Sequence, residues 1–133
     1  MPYIAVRISK TVSATQAQQL AGGITDIMTN TLRKQRSLVA VSIESIPASQ
    51  WFIASQDMEA LQNITAFVSG IITEGTNTEA EKSRAIAAIF ALLTEVLGEL
   101  AEASYVVLDC VPASDWGYSG KTQASRKATR KQE

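Results

Sequence analysis

Histidine is absent from all 133 residues. That absence removes Ser-His-Asp and Cys-His nucleophile systems, histidine-bearing zinc sites and the commonest general acid–base group. Proton chemistry near neutral pH then falls to a carboxylate, a lysine, a tyrosine or the terminal amine. Cysteine occurs once, at Cys110, so neither an internal disulfide nor a cysteine metal cluster is available. No apolar run reaches the ~20 residues of a membrane span, because Gly, Ser, Thr or charged residues interrupt each one. The first residues alternate in polarity and form no apolar block, so no signal peptide is read. An excess of either charge is lacking too, with 12 basic against 13 acidic residues and a net charge of −1. The expectation is a cytoplasmic, globular chain with no nucleic-acid or membrane partner, no metal and no cofactor. The basic residues after Lys121 read as a solvated end.

What is present begins with Pro2 and the alternating run Tyr3-Ile4-Ala5-Val6-Arg7-Ile8. If Met1 is removed, Pro2 becomes a terminal secondary amine, a group that titrates near pKa ~8, where a base is useful. A partly apolar pocket would lower that value further. The same residues serve equally well as the plain start of a chain, and nothing local chooses between the two.

Further along, Ser13 and Gln16 form a capping box. Ala17, Leu20, Ala21, Ile24, Ile27, Met28 and Leu32 follow at helical spacing. Gly22-Gly23 interrupts that helix, and a close approach by a neighbouring element is one reason for it. Arg33-Lys34-Gln35-Arg36 places cations where the helix dipole favours them. Val39, Val41 and Ile43 alternate as a second strand, which completes a βαβ unit with parallel strands.

The unit then recurs. Pro47-Ala48-Ser49-Gln50-Trp51 returns as Pro112-Ala113-Ser114-Asp115-Trp116, an offset of 65 residues. At that offset Ser13 maps to Thr78, whose partner Glu81 completes a second capping box. Ile24 maps to Ile89, Met28 to Leu93, Val41 to Val106 and Pro2 to Phe67. The chain reads as a tandem duplication. The organisation expected is one domain over residues 1–120, with repeat one at 2–55, repeat two at 64–120, and a basic, unstructured tail at 121–133.

The fold class expected is α+β, a four-stranded sheet with two helices on one face. The strand around Val68, Gly70 and Ile72 carries apolar or small residues on both faces, so the uncovered face is expected to be buried between copies of the chain in a cyclic homo-oligomer.

These pieces together resemble the tautomerase superfamily, specifically its 4-oxalocrotonate tautomerase-like branch in fused, double-length form. The matching residues are Met1-Pro2-Tyr3-Ile4, the capped helix from Ser13, the strand Val39 to Ile43, and the turn Pro112 to Gly120. That turn is similar to the family's Pro-x-x-x-Trp-Gly-x-Gly-Gly hairpin. The resemblance implies a homotrimer in which Pro2, freed from Met1, carries a proton between positions of a small 2-oxo acid or its enol. It also implies arginines that hold substrate carboxylates. At the places where the family has them, this chain has Val12 and Ala40 in the first repeat, and Thr76 or Asn77 and Tyr105 in the second. Candidate replacements are Lys10, Arg7 and Arg36, with Trp116 as a pocket wall and Tyr105 as a hydroxyl donor. Two alternatives share this fold: a decarboxylase or hydrolytic dehalogenase of a three-carbon acid, and a trimeric binding protein without catalysis.

Overall fold

The computed structural model describes residues 2–132. Strand β1 (Tyr3–Ile8) leads into helix α1 (Ala14–Asn30) and strand β2 (Ala40–Ser45). A hairpin of β3 (Phe52–Ile53) and β4 (Gln56–Asp57) and a single-turn helix α2 (Met58–Leu61) close the first half. Strand β5 (Ala66–Thr73), helix α3 (Glu79–Leu97) and strand β6 (Tyr105–Val111) repeat the pattern, followed by β7 (Gly117–Tyr118), β8 (Lys121–Thr122) and helix α4 (Gln123–Gln132).

The four long strands form one sheet in the order β2-β1-β5-β6. Within each repeat the strands are parallel, and the repeats join antiparallel through β1 and β5. Alternation decides which face is covered. Ile4, Val6 and Ile8 of β1 and Ala66, Val68 and Ile72 of β5 form one core with Leu20, Ile24 and Met28 of α1 and Ala85, Ile89 and Leu93 of α3. Each fully buried Ile or Leu in that set contributes roughly 1.5–3 kcal/mol. Both helices therefore lie on one face of a mixed α+β sheet, as expected. The opposite face leaves Tyr3, Tyr105 and Val107 at 43%, 59% and 40% exposure.

Both capping boxes form: Ser13 Oγ accepts from the Gln16 N–H and Thr78 Oγ1 from the Glu81 N–H. The first helix ends earlier than its cations suggest. Its C-cap is Thr31, so Arg33 to Arg36 lie in the turn beyond it. Arg33 takes a left-handed conformation (φ 60°), and the Lys34 N–H turns back onto the Met28 carbonyl at 2.9 Å. The close approach expected at the double glycine occurs at Gly23, which faces Leu92 of α3, and not at Gly22.

Two readings of the repeat need correction. The offset of 65 residues holds for the helices and for β2 against β6, but not for the first strands. Tyr3 pairs with Ala40 and Phe67 pairs with Tyr105, so Tyr3 and Phe67 occupy equivalent places and the strand offset is 64. The structural counterpart of Pro2 is therefore Ala66, not Phe67. The difference is taken up by one added residue between β5 and Thr78.

The tail is the second correction. Lys121 to Gln132 are not an unstructured appendage but the second copy of the hairpin and helix, and Glu133 lies outside the described residues. The Met58 N–H reaches the Trp51 carbonyl at 3.0 Å, and 65 residues later the Gln123 N–H reaches that of Trp116 at 3.0 Å. Asp57 caps α2 through the Ala60 N–H, and Thr122 caps α4 through the Ser125 N–H, again 65 residues on. Each hairpin turn carries two consecutive positive φ values, at Ala54-Ser55 and at Ser119-Gly120. That is the geometry a two-residue hairpin demands. The Arg126 guanidinium lies 3.8 Å from the centroid of the Tyr118 ring and donates to the Tyr118 carbonyl, tying α4 to β7.

Candidate active site

Pro2 is the residue just before β1, a place where the missing N–H costs no ladder bond. It is buried, and its carbonyl accepts from the Ala40 N–H at 3.2 Å. Because Tyr3 pairs with Ile71 across the antiparallel seam, Pro2 runs alongside Ile72. Met1 and the state of the terminal amine lie outside the described residues.

At this end of the sheet opens a cavity of about 300 Å³. Leu38, just ahead of β2, and Thr73, at the end of β5, border it from the two strands that flank Pro2. Its remaining walls are Arg33, Lys34 and Gln35 from the turn after α1, Glu74, Gly75 and Thr76 from the loop after β5, Ala113 and Tyr118, and Gln123 and Lys127 of α4.

The electrostatics of this wall follow from two neighbouring cations in different circumstances. Arg33 grips the Glu81 carboxylate with two hydrogen bonds, of 2.9 and 3.0 Å. That contact, with the Thr78 N–H second and the charge of Arg33 adding to both, holds the Glu81 pKa down at about 2. Among the described residues Lys34 has no such partner: its ammonium donates to the Thr76 hydroxyl at 2.8 Å. Burial lowers the Lys34 pKa, and the positive charge of Arg33 lowers it further, against smaller opposing effects of Glu81 and Cys110. The Cys110 thiol is half-buried and lies 3.9 Å from the Lys82 ammonium.

The residues expected at a site fall into two groups. Pro2 and Trp116 share one end of the sheet, where the indole N–H of Trp116 donates to Thr73 Oγ1 at 3.1 Å. Arg36 stands near the same end, but its guanidinium pairs with Asp26 at 2.7 Å on an exposed surface. Arg7, Lys10 and Tyr105 lie towards the other end of β1, a strand roughly 20 Å long at the usual rise. Arg7 pairs with Glu44 at 3.4 Å and borders a cavity with Trp51, Phe52 and Phe67. Tyr105 borders another, with Met58, Leu61 and Glu102. Lys10 follows β1 in the loop to α1. Within one protomer, none of these three neighbours Pro2.

Lys34 was not singled out by the sequence, and Thr76 was named there only as one of two residues at a family arginine place. Lys34 reads there as one of four residues at a helix end, and only the left-handed turn at Arg33 directs it to the cavity.

The repeat is asymmetric at its two ends. Around Ala66, the counterpart of Pro2, the chain continues through buried Thr65, whose N–H reaches Ser9 Oγ at 2.9 Å and whose hydroxyl reaches the Ala103 carbonyl at 2.9 Å. Among the described residues no cluster of three or more His, Cys, Asp or Glu is placed to hold a metal, and no helix is long and apolar enough to cross a membrane.

No protein-family model matches the chain. Among curated proteins it is similar to Probable tautomerase K2 of Dickeya dadantii (strain 3937), 32% identical over 59 residues, which are 44% of this chain and 88% of that protein. Among solved structures it is similar to Pt0534 inactivated by 2-oxo-3-pentynoate, at a TM-score of 0.81 and 23% identity, covering 96% of this chain and 98% of that one. A fused 4-OT, a wild-type symmetric trimer, gives a TM-score of 0.83 at 18% identity, covering 93% and 98%. At these identities the structural likeness is one of fold.

Proposed function

The chain belongs to the tautomerase family, and from that premise we propose that it is a cofactor-independent keto–enol tautomerase of a small 2-oxo acid, with Pro2 as proton carrier. The observation that carries this reading is that buried Pro2 stands at the sheet end where a cavity of about 300 Å³, lined by Arg33, Lys34, Thr73 and Thr76, opens. With Met1 removed, the Pro2 nitrogen takes the enol O–H proton as general base and delivers it to the adjacent carbon as general acid. The substrate gains a C–H bond and a carbonyl, and the amine returns to its starting state. No external acid, oxidant or ion is consumed.

The working form is a homotrimer in this reading. Support comes from the uncovered sheet face, with exposed Tyr3, Tyr105 and Val107, and from the fused 4-OT of the same fold, which is a trimer. Assembly would seal that face and place one protomer's Arg7 and Tyr105 against another.

Two measurements test the proposal. Intact mass of the purified protein should show loss of the initiator methionine. The processed protein should ketonise phenylenolpyruvate, followed by loss of enol absorbance, and Pro2→Ala should lower turnover by about 10²–10⁴-fold, the usual worth of a positioned general base. Turnover of Pro2→Ala equal to the wild type would refute the proline mechanism.

A further inference from the structure

We propose that Lys34 binds the carboxylate of the substrate; the inference rests on the tautomerase reading above. Lys34 lines the same cavity as Leu38 and Thr73, each one residue beyond Val39 and Ile72, the positions level with Pro2 on its two neighbouring strands. An anion held there would lie at the same end of the sheet as Pro2.

The chemistry of the ammonium suits an anion. Lys34 is half-buried, and its hydrogen-bond partner is the neutral hydroxyl of Thr76. Among the described residues it makes no ion pair with a carboxylate. A lysine ammonium has three donors, and this contact uses one of them. A cation drawn out of water without a counter-ion carries a desolvation cost that a bound carboxylate offsets.

The neighbours point the same way. Arg33 is charge-paired with Glu81, so it contributes a rigid wall more than a free charge. Glu74 also lines the cavity, but it is exposed and makes no ion pair with Lys34. Lys127 reaches the cavity from α4 but is exposed to solvent screening, where a charge contact is worth little. The backbone of Lys34 is held by its N–H bond to Met28 and by the left-handed residue before it. A non-glycine residue in that conformation costs on the order of 1–3 kcal/mol and persists where its surroundings hold it, which makes this turn a place to look for function.

The test compares phenylenolpyruvate with its methyl ester in the full-length wild type, Lys34→Met, Lys34→Arg, Lys127→Met and Pro2→Ala. Lys34→Met should raise KM for the acid by about 10–100-fold more than for the ester, the usual worth of a charged hydrogen bond. Lys34→Arg should restore most of that difference, and Lys127→Met should change it far less than Lys34→Met. Titration calorimetry with phenylpyruvate, which needs no turnover, supplies the second readout: binding should weaken in Lys34→Met and recover in Lys34→Arg. Equal effects on acid and ester, or phenylpyruvate binding as tight in Lys34→Met as in the wild type, would overturn the assignment. If Pro2→Ala is inactive while Lys34→Met keeps its acid preference, Lys34 is wrong and the proline mechanism stands. If phenylpyruvate binding depends on Lys34 but the wild type turns over no enol, the anion site stands and the tautomerase reading falls.

Discussion

Replacing Gly22 and Gly23 separately by alanine sets two adjacent positions of α1 against each other. Alanine in a helix interior is favoured over glycine by about 0.8–1.0 kcal/mol, and both variants gain that amount. At Gly22 an added Cβ meets nothing within 4 Å, so the gain should appear undiminished. At Gly23 the same atom would stand 2.6 and 2.7 Å from the two Leu92 methyl carbons and 3.2 Å from Leu92 Cγ. Overpacking of this kind costs about 1–3 kcal/mol when side chains must leave their rotamers. Gly22→Ala should therefore melt above the wild type by about 4 °C per kcal/mol gained, and Gly23→Ala should melt below Gly22→Ala. The propensity gain cancels between the variants, so the gap between them measures the steric effect alone. Thermal denaturation by circular dichroism at one fixed protein concentration reads that gap, since stability of an oligomer depends on concentration. Repeating the pair in a Leu92→Ala background should close it, with both alanines then stabilising. If the two variants shift equally in the wild-type background, the packing of α1 against α3 at Gly23 is not as described.

Glu81→Gln separates the ion pair from the helix cap, because glutamine also completes a capping box. The Glu81 pKa is held at about 2 against an ordinary 4.5, so its contribution is present above pH 4.5 and lost as pH falls from there through about 2. The stability gap between wild type and Glu81→Gln should shrink across that window in urea titrations; a gap constant with pH would refute the pairing with Arg33. Arg126→Ala removes the cation over the Tyr118 ring, a contact worth about 0.5–1 kcal/mol at exposed sites. Amide hydrogen exchange over residues 123–129 should accelerate in that variant, and unchanged protection would show that α4 is held by other contacts.

Much of the architecture was legible because its signals were redundant. Ser13 with Gln16 and Thr78 with Glu81 announce both helices, and the apolar stripes between the caps agree with them. The strand phase was not legible. Phe67 to Ile72 is apolar or small on both faces, so sliding it by one residue breaks no pattern, although it turns every side chain over. Only the pairing of Phe67 with Tyr105 fixes it. The tail failed for another reason. Lys121 to Gln132 has no apolar stripe, and α4 is held by a cap, a ring contact and a backbone bond, none of which shows as periodicity. At the site, Pro2 and Trp116 stood out by motif. Lys34 did not, since nothing in Arg33-Lys34-Gln35-Arg36 marks Arg33 as left-handed.

The added residue between β5 and Thr78 reaches beyond register. It lengthens the loop that contributes Thr73, Glu74, Gly75 and Thr76 to the cavity, while the loop after β1 keeps its shorter form beside Thr65. A duplicated chain begins with two interchangeable ends. Here one end has grown a wall and the other has been filled in by the polypeptide that joins the copies. Divergence by a single codon of length in one copy would let that rim change shape while the shared hydrophobic centre stayed as it was. The expected stoichiometry is one reactive amine per chain: a covalent inactivator should saturate after one equivalent, although the fold carries the same unit twice.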